Sequence, residues 1–236
     1  MIIAMWSGPR NLSTAMMRSF GSRADCTVFD EPFFAPFLKH SGKDHPGRRE
    51  TLEQCETDPL RVAELCAQHG RRGQYAFQKH MPHHMLDGFP MDWSKGAKHF
   101  FLIRDPVRVI ASYVKGRAAF DLDDLGYAPQ RRFWDLLGRP PIIHSETILE
   151  NPEKALGSLC QAIDIPFDPA MLSWEAGAHI EDGPWAPWWY KSVWASTGFG
   201  KPSSVIPEIS PDHLDLLEAC RSDYKTMADH ALRIDG

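Results

Sequence analysis

The sequence predicts an α/β fold of three layers, with a central parallel sheet of about five strands. Three observations carry this expectation. Short apolar runs alternate with longer amphipathic ones, the pattern left by strands joined through crossover helices. Hydrophobic residues make up 43% of the 236 and charged residues 24%, a globular balance that excludes disordered, collagenous and coiled-coil chains. No repeat and no low-complexity linker divides the chain, so 1–236 reads as a single domain that buries its core without staples.

Each element follows from local chemistry. Ile2 to Trp6 is an apolar run and reads as a buried first strand. Ser7-Gly8-Pro9 breaks it, and Asn11 or Ser13 is placed to cap a helix running to about Phe20. Cys26 to Phe29 and Tyr75 to Gln78 read as the second and third strands, and the very apolar His99 to Ile103 as the fourth. Asp105-Pro106 supplies a capping side chain and a first-turn proline, so a helix follows to about Lys115. Pro141 to His144 is the fifth strand, Asn151-Pro152 opens a helix to about Ile163, and a last helix spans about Pro211 to Leu232. Segments 38–58 and 174–205, rich in Gly, Pro, His and Trp, read as loops or short helices laid over the sheet.

Bulk features narrow the function. A net charge of −5 argues against an extended nucleic-acid face. The five cysteines are odd in number, widely spaced and without a CxxC pair, which fits buried thiols in a reducing compartment. The apolar Met1–Trp6 is too short for a signal peptide, and no run approaches the roughly 18 apolar residues of a membrane span, so a soluble cytoplasmic protein is expected. Nothing in the sequence specifies an oligomeric state. Arg48-Arg49 and Arg71-Arg72 are short charge pairs that solvated loops explain.

Two strand-to-helix turns carry chemistry. Ser7 to Thr14 joins a buried strand to a helix, and such a turn aims free backbone N–H groups and a positive dipole end at one point, an anion site. Arg10 adds a cation with a planar donor fork, and Ser13 and Thr14 add hydroxyls. The turn lacks the second Gly and the Lys of a Walker A loop. The second turn, Phe100 to Pro106, ends a strand in Arg104, with Ser112 eight residues on in the next helix. An Arg at a strand's carboxyl end faces the crevice where open α/β sheets bind ligands. An ordinary capped helix and a structural Arg104–Asp105 pair are the plainer alternatives.

Together these turns resemble the sulfotransferases that use 3′-phosphoadenosine 5′-phosphosulfate (PAPS). The family's P-K-S-G-T-T motif maps onto Pro9 to Thr14, and its Arg with a Ser eight residues later onto Arg104 and Ser112. Its K-T-H-x-P motif maps onto Gln78-Lys79-His80-Met81-Pro82. Asn151 to Cys160 followed by Ile165-Pro166-Phe167-Asp168 is similar to the family's helix and turn after the last strand, so the likeness covers 1–172. It implies a P-loop-like architecture and sulfuryl transfer from PAPS to a hydroxyl or amine of a small-molecule acceptor, with no metal. It implies Arg10, Asn11, Leu12, Ser13 and Thr14 on the 5′-phosphosulfate, Arg104 and Ser112 on the 3′-phosphate, and His80 as base. Glu31, in Asp30-Glu31-Pro32-Phe33, resembles an acidic position of some bacterial and carbohydrate members and competes for that role. Lys201 falls near the family's C-terminal Gly/Lys loop on the 3′-phosphate. Three residues depart from the pattern: Arg10 stands for Lys, Leu12 for Gly, and Ala15 for a Trp that stacks on adenine.

Other readings compete. A P-loop-like kinase or phosphotransferase would need Mg-dependent ATP binding, and a non-catalytic nucleotide-binding member would keep the fold without activity. His80, His83 and His84 could suggest a metal, but Pro82 interrupts the run and no carboxylate or Cys completes a shell. Five of the eight Trp lie between Trp174 and Trp194, either as an aromatic wall with Lys191 and Lys201 near phosphate or as packing for an irregular layer.

Overall fold

The computed structural model describes residues 1–71, 74–116 and 120–234, so Arg72 of the second charge pair lies outside the described residues. Five strands form one parallel sheet: β1 (Ile2–Ser7), β2 (Cys26–Asp30), β3 (Tyr75–His80), β4 (Lys98–Ile103) and β5 (Ile142–His144), in the order β2-β3-β1-β4-β5. The helices are α1 (Ser13–Gly21), α2 (Phe34–Ser41), α3 (Arg48–Gln54), α4 (Pro59–His69), α5 (Pro106–Gly116), α6 (Leu122–Leu125), α7 (Tyr127–Leu136), α8 (Ser145–Glu150), α9 (Pro152–Ala162), α10 (Ala186–Trp189), α11 (Lys191–Trp194) and α12 (Leu214–Ala228).

Strand side chains alternate between the two faces. Ile3, Met5, Phe77, Phe100 and Leu102 pack on one face against Met16 and Phe20 of α1 and Leu156 and Leu159 of α9. Ala4, Trp6, Phe101 and Ile103 pack on the other against Val62 of α4, Phe133 and Trp134 of α7, and Met227 of α12. Both faces are buried, which is why the strands read as near-continuous apolar runs.

The strand order sets the site. From β1 the chain turns toward β3 and β2, then crosses to β4 and β5 on the other side. The turns leaving β1 and β4 therefore open between neighbouring strands, at the crevice where doubly wound sheets bind ligands.

Several local expectations are corrected. Neither Asn11 nor Ser13 caps α1; Leu12 occupies the N-cap position in a left-handed conformation (φ 69°), with no side-chain cap. β3 extends to His80, so Gln78, Lys79 and His80 of the His motif are strand residues, and Met81 and Pro82 follow it. The last helix is shorter than expected: Pro211–His213 is a 3-10 turn and α12 ends at Ala228. α4 and α7 were not anticipated, although Asp58-Pro59 is a cap-and-proline start and the Asp58 carboxylate accepts from Leu60 N. Asp105 and Asn151 cap as expected, accepting from Val107 N and Lys154 N. All five cysteines are free thiols.

Candidate active site

One cleft opens at the carboxyl ends of β1, β3 and β4, with Arg10, Arg104, Ser112, Glu31, Lys79 and His84 among its lining. Its first wall is the β1–α1 turn. Arg10 and Leu12 both adopt positive φ (59° and 69°), which turns the chain sharply into α1. For non-glycine residues this costs about 1–2 kcal/mol each. Leu12 thus keeps the left-handed backbone that a glycine would supply. No side chain caps α1, so its N-terminal amides stay available to a ligand. Asn11 is buried and structural on one edge: its amide donates to Leu102 O at 3.2 Å, and Ser145 Oγ donates to Asn11 O at 2.8 Å.

The second wall is the β4–α5 turn. Arg104 donates to Arg10 O at 2.9 Å and pairs with Glu146 at 3.1 Å, not with Asp105. Tyr127 OH donates to Arg104 O at 2.8 Å and holds the turn in place. Arg10 Nε donates to Ser112 Oγ at 2.9 Å. Among the described residues, no carboxylate pairs with Arg10. Burial lowers its pKa, Tyr113 opposes that, and nearby Arg104 lowers it further, so an anion beside Arg10 would favour its charged form. Asn11, Leu12, Ser13 and Thr14 also line this end.

The floor is a buried charge cluster. Lys79 Nζ lies 2.6 Å from Glu31 Oε1 and 2.9 Å from Asp30 Oδ1, and donates to Tyr190 OH at 2.5 Å. Tyr190 OH in turn donates to Asp30 Oδ2 at 2.7 Å and accepts from Trp185 Nε1 at 3.0 Å. Burial pushes the Glu31 carboxyl above its ordinary value, Lys79 pulls it back, and Asp30 adds to the rise. The carboxylates hold Lys79 protonated against its burial. Glu31 sits at φ 40°, a strained backbone that aims its side chain from the end of β2 toward the cleft.

His80 is not in this cleft. It is 1% exposed, stacks on Trp6 (4.8 Å) and Trp93 (4.5 Å), and meets Gln78 Oε1 at 3.2 Å. The reason is strand parity: on β3, Gln78 and His80 face the Trp6 side of the sheet, and Lys79 between them faces the cleft side. Burial also pushes the His80 pKa well down. Lys201 is exposed and does not line the cleft, nor does Lys191. Lys79, Asp30, Tyr190 and Glu146 escaped the sequence reading as site residues, and His84 entered it only in the His80, His83, His84 run weighed for a metal. The signal for Lys79 was present, since counting alternate residues along β3 separates it from His80.

The Trp-rich segment packs on the core and also lines the cleft, without Lys191 or Lys201. Trp185 is buried against Phe34 and also lines the cleft, and Trp189 lines it as well. Arg18 and Asp182, both nearly buried, pair at 2.7 Å and tie this segment to α1. Among the described residues, no group of three or more His, Cys, Asp or Glu could hold a metal ion, and no helix is long and apolar enough to cross a membrane.

A five-strand parallel sheet flanked by helices, with an uncapped turn after β1 and a second arginine after β4, defines the α/β class of the chain. Comparison with known proteins then names the family. The family described as "Sulfotransferase domain" matches residues 1–231, and the chain belongs to it. Two Arabidopsis thaliana proteins, branched-chain-amino-acid aminotransferase-like proteins 2 and 1, are each 39% identical over 233 residues, 97% of this chain and 42% of their own length. The chain thus spans less than half the length of these curated relatives. Among solved structures, the sulfotransferase domain of the Synechococcus PCC 7002 olefin synthase aligns with a TM-score of 0.56 at 18% identity, covering 93% of this chain and 94% of that one. The sulfotransferase domain from the curacin biosynthetic pathway aligns with a TM-score of 0.55 at 16% identity, covering 97% and 96%. These two likenesses concern the fold.

Proposed function

We propose that the chain, read as one domain over 1–236, transfers a sulfuryl group from PAPS to a hydroxyl or amine of a small-molecule acceptor. The observation that carries this reading is the meeting of Arg10, Arg104 and Ser112 at the uncapped N-terminus of α1. Two guanidinium groups, free helix amides and hydroxyls suit a compact polyanion.

PAPS supplies the activated sulfuryl group, and its S–O bond to the phosphate breaks as the acceptor oxygen or nitrogen bonds to sulfur. Transfers of this type pass through loose, in-line transition states, so the protein acts by positioning and electrostatics. Arg10 and the α1 amides would bear the charge that builds on the departing phosphate oxygen. Arg104 and Ser112 would hold the 3′-phosphate. Glu31 would take the acceptor's proton. It replaces His80 in that role because Glu31 lines the cleft and His80 is sealed on the far face of β3.

Titration calorimetry with 3′,5′-ADP against ADP tests the reading. Preference for the 3′-phosphorylated nucleotide, together with 3′,5′-ADP release when PAPS and a hydroxyl acceptor are mixed, supports it. Equal binding of the two nucleotides, or none, overturns it.

A further inference from the structure

Lys79 and Tyr190 hold the Glu31 carboxylate from one side, and its other oxygen faces a third group. Its Oε1 meets Lys79 at 2.6 Å, and its Oε2 faces His84 Nδ1 at 3.8 Å, too far for a hydrogen bond. His84 Nδ1 is buried and has no partner. Such an atom is costly to leave unmatched. The His84 ring cannot easily turn elsewhere: it stacks on Phe34 at 4.7 Å and on Phe37 at 4.9 Å, both at 24°. The residue is 4% exposed and lines the same cleft as Glu31. Burial holds the imidazole neutral, its pKa well below the ordinary value. A neutral imidazole has one N–H, and facing a carboxylate oxygen that proton belongs on Nδ1.

We propose that His84 is the positioning residue for Glu31: its Nδ1–H closes onto Oε2 when the cleft is loaded, so that the carboxylate is clamped between Lys79 and His84. Catalytic hydrogen bonds are commonly long in ligand-free enzymes and tighten in the reactive complex. The clamp fixes the plane of the carboxylate and leaves one lone pair on each oxygen, one of which receives the acceptor's proton. The inference rests on Glu31 as base, as proposed above, and adds a residue to that site.

The groups facing this pair are Asp30, Lys79 and Tyr190 around Glu31, and His83, His45, Lys79 and His80 around His84. A donor to the ionised carboxylate stabilises its charged form, so removing it raises the Glu31 pKa. The test uses His84→Phe, which keeps a ring between Phe34 and Phe37, and His84→Asn, which restores an N–H near Nδ1. Carbon-13 NMR of glutamate-labelled protein, with 3′,5′-ADP bound and the Glu31 signal assigned by its loss in Glu31→Gln, follows the carboxyl directly. In His84→Phe the Glu31 midpoint rises by about one unit and in His84→Asn it returns toward the parent. With PAPS and 2-naphthol, kcat falls about tenfold in His84→Phe, with 3′,5′-ADP affinity unchanged, and recovers in His84→Asn. A Glu31 midpoint that is the same in parent and His84→Phe overturns the proposal. A shifted midpoint without any transfer from PAPS upholds the clamp and overturns the sulfotransfer reading instead.

Discussion

Arg10 Nε donates to Ser112 Oγ at 2.9 Å, so the turn after β1 and the helix after β4 share a hydrogen bond although 102 residues separate them. Arg104 completes the junction by donating to Arg10 O. The two arginine-bearing turns therefore meet at one corner of the cleft.

Arg104→Gln is expected to weaken 3′,5′-ADP binding by about 10- to 100-fold, the worth of a charge-assisted hydrogen bond, and to affect ADP much less. Arg10→Gln should weaken both nucleotides. Calorimetry decides. If Arg104→Gln costs the two ligands equally, the assignment of Arg104 to a 3′-phosphate is wrong.

His80→Phe should remain active. Its ring replaces the imidazole between Trp6 and Trp93, and only the hydrogen bond to Gln78 is lost, about 1 kcal/mol of stability. Glu31→Gln should lose about 10²- to 10⁴-fold in turnover, the range for a general base. Steady-state rates for the two variants, each checked by thermal melting, reverse the roles of these residues if His80→Phe is the inactive one.

The pH profile should report Glu31. Burial raises its carboxyl pKa, and transfer needs the carboxylate, so kcat/KM climbs with pH through that raised value and is lost below it. Lys79→Met removes the opposing cation and moves the acid limb further up. Stability follows the opposite sign. A carboxyl raised in the folded state binds more protons folded than unfolded, so its contribution is present below the ordinary value of 4.5 and fades as pH rises through the folded pKa. Relative to the parent, Glu31→Gln should therefore flatten the fall of Tm above pH 4.5. An acid limb that stays in place in Lys79→Met speaks against Glu31 as the titrating base.

Leu12 offers a backbone test. Leu12→Gly removes about 1–2 kcal/mol of left-handed strain but loses packing of similar size, so its Tm should barely move. Leu12→Val puts a β-branched residue at φ 69° and should cost more than 2 kcal/mol. Equal melting of the two variants would mean that the turn relaxes out of the left-handed region.

Asp182→Ala should destabilise the chain by about 3–5 kcal/mol, because it strands Arg18 as a buried cation. It also removes the acceptor for Trp194 Nε1 (2.8 Å). Chemical denaturation measures the loss, and tryptophan emission should redden as the segment bearing Trp185 and Trp189 loosens from the cleft. A loss below 1 kcal/mol would show that the pair is not what holds this wall.

Composition, apolar runs and turn residues by themselves determined the five-strand parallel sheet, the helices after β1, β4 and β5, and the two arginine-bearing turns. These are local signals: a strand's apolar run, a cap, a proline and a fixed eight-residue spacing lie within a few turns of chain. What only the tertiary structure decided was which side chains meet. Asp30, Lys79 and Tyr190 come from β2, β3 and the end of α10, and nothing in their sequence separation announces a shared charge cluster. Which of His80 and Lys79 faces the cleft turns on where β3 ends: a strand carried through His80 sends neighbouring residues to opposite faces. Apolar patterning located the strand but not its last two residues, Lys79 and His80, and it is these two that lie on opposite faces of the sheet.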